Sequence, residues 1–196
     1  MLGFGLLLGG LIAVALPSCR GSELEETVSP VELDTFEPPA QREARPQEIP
    51  SLRPHIVAKY PHQRDAFTQG LLWHDGFLYE STGQYGESSL RKVRLEDGKV
   101  LAERALDPLL FGEGLALVED SLIQLSWRSG KALLWDLETL EQEETLTYSG
   151  EGWGACFDGE LLVTSDGSAQ LKFRDPKTLQ VKRKVDVRKS GSAVYR

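Results

Sequence analysis

Short apolar runs separated by polar turns dominate the chain after residue 54, and the runs recur in register. Phe67-Thr-Gln-Gly-Leu71 returns as Phe111-Gly-Glu-Gly-Leu115, 44 residues later, and in weaker form as Glu151-Gly-Trp-Gly154. Each copy is followed by an acidic residue (Asp75, Glu119, Asp158) and a second apolar run: Phe77–Tyr79, Leu122–Leu125, Leu161–Val163. Leu90–Leu95 alternates apolar and polar residues and meets the turn Glu96-Asp-Gly98 before Lys99-Val-Leu101, a hairpin pattern. Ala132–Asp136 with a turn near Leu137–Thr139, and Leu171–Asp175 with a turn near Pro176–Thr178, are its equivalents, so that Arg94, Asp136 and Asp175 mark one structural point. Ser81–Gly83 and Ser165–Gly167 fill matching connections, and no segment carries sustained helical periodicity. Strand-rich units of about 40 residues read as blades of an all-β propeller. Residues 54–196 make room for about three blades plus a partial one, the last residues reading as the opening strand of another. An incomplete ring leaves strand edges bare, so a chain cut short or an oligomer that completes itself would account for the number.

The first 53 residues have a different pattern. Leu2–Leu16 are uncharged and mostly apolar, too short for a mature transmembrane helix, and run into Leu16-Pro-Ser-Cys19. Small residues before a cysteine resemble a bacterial lipoprotein signal, which would make Cys19 the lipid-bearing N-terminus. An ordinary signal peptide with an incidental cysteine is the other reading. Arg20 after the cysteine suggests outer-membrane retention at the periplasmic face; secretion is the alternative. Residues 20–53 hold five prolines, eight acidic residues and one aromatic, Phe36, and are expected to form a disordered tether.

Charge and composition narrow the chemistry. The net charge is −8 and no basic stripe occurs, which argues against nucleic acid as a partner. Of two cysteines, Cys19 is assigned to the lipid, leaving Cys156 as a small buried hydrophobe. His55, His62 and His74 lack metal-ligand spacing, so no metal site and no cofactor are expected.

The unequal members of the repeats are the candidates for function. Gln69 and Glu113, with the aromatics Phe67, Phe111 and Trp153, fall at or beside equivalent places that a propeller points into one central cavity. Trp127, two residues past an apolar run, suits the same cavity. Phe67 and Phe111 could equally be repeated core residues. Gly70, Gly114 and Gly154 read as tight backbone turns, Trp73 and Trp135 as blade packing, Glu80 and Glu151 as solvated, and Asp166 as a turn cap.

Seven runs occur in order and at blade spacing: Tyr60–Leu71, Tyr79–Gly86, Ser89–Val93, Phe111–Leu115, Gln124–Trp127, Gly150–Gly154 and Ser165–Ser168. Together they resemble the plant-type and bacterial glutaminyl cyclases, or glutaminyl-peptide cyclotransferases, over residues 55–196. The resemblance implies a five-bladed propeller and a monomer that cyclises the N-terminal glutamine of peptides to pyroglutamate, releasing ammonia without a metal. It implies Glu113 as the catalytic acid/base, and Phe67, Gln69, Phe111, Trp127 and Trp153 as the substrate pocket. Family members continue past the equivalent of Arg196 into an asparagine-bearing segment and a further tryptophan and lysine, which this sequence does not contain. Glycines on either side of Glu113 and aromatic neighbours should desolvate its carboxyl and raise its pKa toward neutrality. Two readings without catalysis stand beside this: a lipid-tethered propeller that holds a peptide or glycan, and a structural part of outer-membrane assembly.

Overall fold

In the first sheet, β1 (Thr68–His74), β2 (Phe77–Thr82), β3 (Ser89–Arg94) and β4 (Val100–Ala105) lie side by side in chain order. β5 (Gly112–Val118), β6 (Ser121–Ser126), β7 (Lys131–Asp136) and β8 (Gln142–Thr147) repeat that order in the second sheet. The third sheet consists of β9 (Ala155–Phe157), β10 (Leu162–Thr164), β11 (Gln170–Arg174) and β12 (Val181–Asp186). All neighbours are antiparallel. This computed structural model describes residues 51–189 and 191–194, and no helix occurs among them. The expected leader, Cys19 and nearly all of the proline-rich segment lie outside the described residues.

The repeated hairpin is real at atomic detail. Between the third and fourth strands of each sheet, the backbone N–H of Gly98, Leu140 and Leu179 donates to the carbonyl of Arg94, Asp136 and Asp175, at 3.0, 2.9 and 2.8 Å. All three donors are left-handed, with φ of 66°, 55° and 57°. Glycine takes that conformation freely; a leucine is strained by roughly 1–2 kcal/mol. Leu140 and Leu179 are only 1% and 2% exposed, and burying a leucine contributes roughly 1.5–3 kcal/mol, so packing offsets the strain.

Two cores separate the three sheets. Tyr79 and Leu90 meet Leu115, Leu122, Leu133 and Trp135 between the first and second sheets. Ala116, Ile123, Leu125 and Ala132 meet Leu162 and Leu179 between the second and third. The middle strands of the second sheet, β6 and β7, are therefore buried on both faces, which explains why Leu122–Leu125 and Ala132–Trp135 read as almost unbroken apolar runs. The outermost strand β12 is exposed throughout and carries Lys182, Arg183 and Lys184, charges that suit an unpaired edge.

The repeated glycines do not make turns. The inner strands β1, β5 and β9 contact each other in sequence, and Gly70 and Gly114 sit where they meet. A Cβ on Gly70 would stand 2.6 Å from the Leu115 nitrogen, and one on Gly114 would stand 2.5 Å from the Ala155 nitrogen and meet the Trp153 carbonyl. Gly114 N–H donates to that carbonyl at 2.6 Å. Absence of a side chain is what lets one sheet's backbone lie against the next.

Three other expectations need correction. Trp135 is core, but Trp73 is 55% exposed, because period-two alternation turns it, like Leu71, to the face of the first sheet away from the second. Cys156 is exposed: its neighbour Ala155 packs toward the second sheet, which sends Cys156 to the opposite side. The final described residues form a two-residue hairpin, β13 (Arg188–Lys189) with β14 (Ser192–Ala193), rather than a single opening strand.

Gly114→Ala should cost about 1–3 kcal/mol, the usual penalty for forcing atoms into a filled contact. Gly154→Ala, whose Cβ would meet only the Ser165 hydroxyl at 3.1 Å, should cost less. Urea unfolding midpoints of the two variants test this; equal losses would count against the close-approach role.

Candidate active site

The two polar candidates owe their direction to bulges in the inner strands. In β1, Gln69 is the extra residue between the pairs Thr68–Thr82 and Gly70–Ser81. In β5, Glu113 and Gly114 together oppose Leu125, between the pairs Gly112–Ser126 and Leu115–Gln124. A bulge breaks the alternation and re-aims a side chain. Gln69 and Glu113 consequently reach a cavity of about 330 Å³ lined by Phe67, Gln69, Phe111, Glu113, Trp127 and Trp153. These are the six residues singled out from the sequence.

Phe111 is the hub of the aromatic wall. Its ring meets Phe67, Tyr85 and Trp127 edge-on, with centroids 6.2, 5.5 and 5.6 Å apart, a geometry that aromatic quadrupoles favour. Gly83 makes the space: a Cβ there would come within 2.6 Å of the Phe111 ring. Trp153 is seated in the same way over Gly167, which has φ of 79° and whose Cβ would lie 2.8 Å from the indole. Phe67 is 49% exposed, a cavity wall and not a core residue. Tyr85, exposed and without a place in the repeat, is an aromatic neighbour that the sequence pattern does not reveal.

Neither of the two glutamates expected in solvent is free. Glu80 is 2% exposed; its Oε1 accepts from Thr68 Oγ1 and, at 2.8 Å, from His62 Nε2, which ties the segment before β1 to β2. Glu151 Oε2 accepts the indole N–H of both Trp127 and Trp153, each at 2.9 Å, and its Oε1 accepts from Arg128 Nε at 3.2 Å. Its signal was present in the repeat, since Glu151 occupies the place of Phe67 and Phe111. Asp166 does cap a turn: Oδ1 accepts from Ser168 N–H at 3.1 Å and Oδ2 pairs with Lys172 at 2.6 Å.

Electrostatics separates Glu113, which lines the cavity, from Glu151, which binds two of its walls. Burial, and then repulsion from Glu151, pushes the Glu113 pKa up to about 7. Hydrogen bonds from Trp153 and Trp127, with help from Arg128, hold Glu151 below the ordinary glutamate range. One group is thus ionised and the other poised near neutrality, the arrangement from which acid–base roles are assigned. A larger cavity, about 430 Å³, lies by Asp75, Lys92, Asp120 and Asp136. Most of its lining is polar or charged and it contains none of the six residues above, so size does not mark the candidate site.

Antiparallel four-stranded sheets joined through their inner strands define a β-propeller-like protein, with an aromatic cavity beside the junction and one raised carboxyl in it. The family model described as glutamine cyclotransferase matches residues 30–196, and the chain belongs to that family. It is 43% identical over 141 residues to a glutaminyl-peptide cyclotransferase of Arabidopsis thaliana, an alignment covering 71% of this chain and 44% of that protein. The crystal structure of Myxococcus xanthus glutaminyl cyclase superposes with a TM-score of 0.67 at 39% identity, covering 72% of this chain and 60% of that one. The Neurospora crassa Pan2 WD40 domain matches at 0.52 with 11% identity, over 61% of this chain and 36% of that one, a likeness of fold alone. The chain therefore spans less than half the length of the curated relative and three fifths of the solved one.

An acid whose folded pKa lies above its unfolded value binds extra protons in the folded state between the two. Stability therefore falls as pH rises from about 4.5 to about 7, and the loss is complete above that range. Glu113→Gln removes this slope. Its unfolding midpoint relative to the unmodified chain should rise between pH 4.5 and 8; a pH-independent difference would contradict the raised pKa.

Proposed function

We propose that this cavity cyclises an N-terminal glutamine to pyroglutamate, with Glu113 as general acid/base. The observation that carries the reading is the Glu113 carboxyl, raised to about 7 among aromatic walls, in a chain of the glutamine cyclotransferase family. In the reaction the substrate's α-amine attacks its own side-chain amide carbon, a C–N bond closes the five-membered ring, and the amide C–N bond breaks. The amine loses one proton and the departing NH₂ gains one, so the step is balanced by a single group that first accepts and then donates.

Little else is demanded of the protein. The nucleophile and electrophile belong to one residue, so proximity is largely built in. An α-amine of pKa about 7.7–8 is partly neutral near pH 7. Protonating the leaving nitrogen is the hard step, and a carboxyl near pKa 7 is matched to it. Apolar walls give the glutamine's methylenes a place to dock with few polar contacts, and Gln69, which lines the same cavity, would bind its amide. Peptides or proteins that begin with glutamine are the proposed substrates.

Incubation with a glutamine-initiated dipeptide should release ammonia, and Glu113→Gln should lower kcat by about 10²–10⁴ while leaving the fold intact. Near-normal turnover by the variant would refute the role of Glu113. Peptide binding without ammonia release would favour a propeller that only binds.

The apolar run Leu2–Leu16 and Cys19 support a lipid anchor at the periplasmic face of a bacterial membrane. Metabolic labelling with a fatty acid should mark the protein and be lost in Cys19→Ser; label that survives the substitution would exclude acylation at this residue.

A further inference from the structure

Glu151 touches two walls of the cavity, yet the proton transfers above do not use it. Gly150-Glu-Gly-Trp-Gly154 alternates glycine with a side chain, and Glu151 and Trp153 meet across Gly152, the Trp153 indole N–H donating to Glu151 Oε2 at 2.9 Å. The segment is held at both ends of the site. Gly152 N–H donates to the Trp127 carbonyl at 2.8 Å, and Trp153 N–H donates to the Ser165 carbonyl at 3.0 Å. No side chain fits at residue 152, where a Cβ would collide with the Tyr148 hydroxyl. Arg128 completes the group, its guanidinium 3.8 Å above the Trp127 ring and its Nε on Glu151 Oε1.

We propose that Glu151 is the positioning residue of the cavity: one carboxylate oxygen fixes both indoles, and hence the width of the slot between them. An indole has a single N–H and no acceptor, so Trp127 and Trp153 each spend their only polar contact on this oxygen. Sharing one acceptor couples their orientations, which two separate partners would not do. Bonds to an ionised acceptor are roughly twice as strong as neutral ones, which suits walls that must hold still around a flexible glutamine side chain. The consequence for turnover rests on the cyclotransferase reading; the indole geometry does not.

The same charge faces Glu113. Other charged or titratable groups around it are Tyr148, whose buried hydroxyl is pushed up to about 12 and stays neutral, and Arg128, already bound to Glu151. Behind Tyr148 lies Arg174, 5.1 Å from its ring, and beyond that the Asp166–Lys172 pair. Repulsion from Glu151 adds to burial in keeping Glu113 protonated.

Indole N–H resonances of the ¹⁵N-labelled full chain test the proposal without depending on activity. Glu151→Ala should shift the Trp127 and Trp153 signals together and speed their solvent exchange at least tenfold, leaving Trp73 and Trp135 in place. Glu151→Gln, whose carboxamide oxygen can still accept, should restore both signals while lowering the Glu113 titration midpoint. In the unmodified chain, acidification should move both indole signals with one shared midpoint below the ordinary glutamate range, a readout that survives if a variant fails to fold. Where the chain turns over, Glu151→Ala should raise KM more than it lowers kcat. Unchanged signals in Glu151→Ala, a shift of only one of them, or separate midpoints would overturn the proposal. Coupled indoles in a chain that releases no ammonia would support it and remove the cyclotransferase reading; uncoupled indoles in an active chain would do the reverse.

Discussion

Backbone lying directly against backbone, where Gly70 and Gly114 carry no side chain, is the contact from which the rest of the architecture follows. Sheets normally pack about 10 Å apart through their side chains. Here the inner strands approach far more closely, down to a hydrogen bond from Gly114 N–H to the Trp153 carbonyl. The sheets splay outward from that junction, and two apolar cores fill the wedges between them. Inner strand ends are thereby gathered at one place. Residues 44 apart in the chain, such as Gln69 and Glu113 or Phe67 and Phe111, come to line one cavity.

Crowding at the junction also produces the electrostatics. A carboxyl brought beside aromatic rings loses water and resists ionisation, and a second carboxylate nearby adds repulsion. Glu113 bears both effects because, among the described residues, no cation pairs with its side chain to compensate them. Glu151 escapes because two indoles and a guanidinium hold it in the charged state. Two side chains of identical chemistry are divided into a carboxyl raised toward neutrality and a fixed anion by what surrounds them. The proposed ring closure with ammonia release would use the first of these, since there a proton must be taken and returned at one place.

Glycine has a second use at the cavity, distinct from its use at the junction. Gly83 and Gly167 lie beneath the rings of Phe111 and Trp153, so these aromatics rest on bare backbone. Large rings can then occupy the centre of the fold without displacing the strands that carry Gln69 and Glu113. Rigidity of the walls comes from above by the Glu151 hydrogen bonds and from below by these seats.

Much of this is legible in the amino-acid sequence. A repeat of alternating strands dictates sheets of like order, and three hairpin turns with one hydrogen-bond pattern follow from matching residues at 94, 136 and 175. Gln69, Glu113 and Trp153 could be named because they differ in chemistry at equivalent places of the repeat, Phe67 and Phe111 because they recur beside them, and Trp127 because it lies just past an apolar run; the family resemblance joins the six into one pocket. Local pattern failed where burial depends on which face of a sheet meets a neighbour. Trp73 and Cys156 belong to apolar strands yet face outward, and Glu80, charged and expected in water, is enclosed by Thr68 and His62. The bulges at Gln69 and Glu113 form against strands about a dozen residues further on, the glycine approaches join residues 39 to 45 apart, and the Trp127 bond to Glu151 spans 24 residues. Local pattern does not say which distant segment each of these meets, so packing alone could decide them.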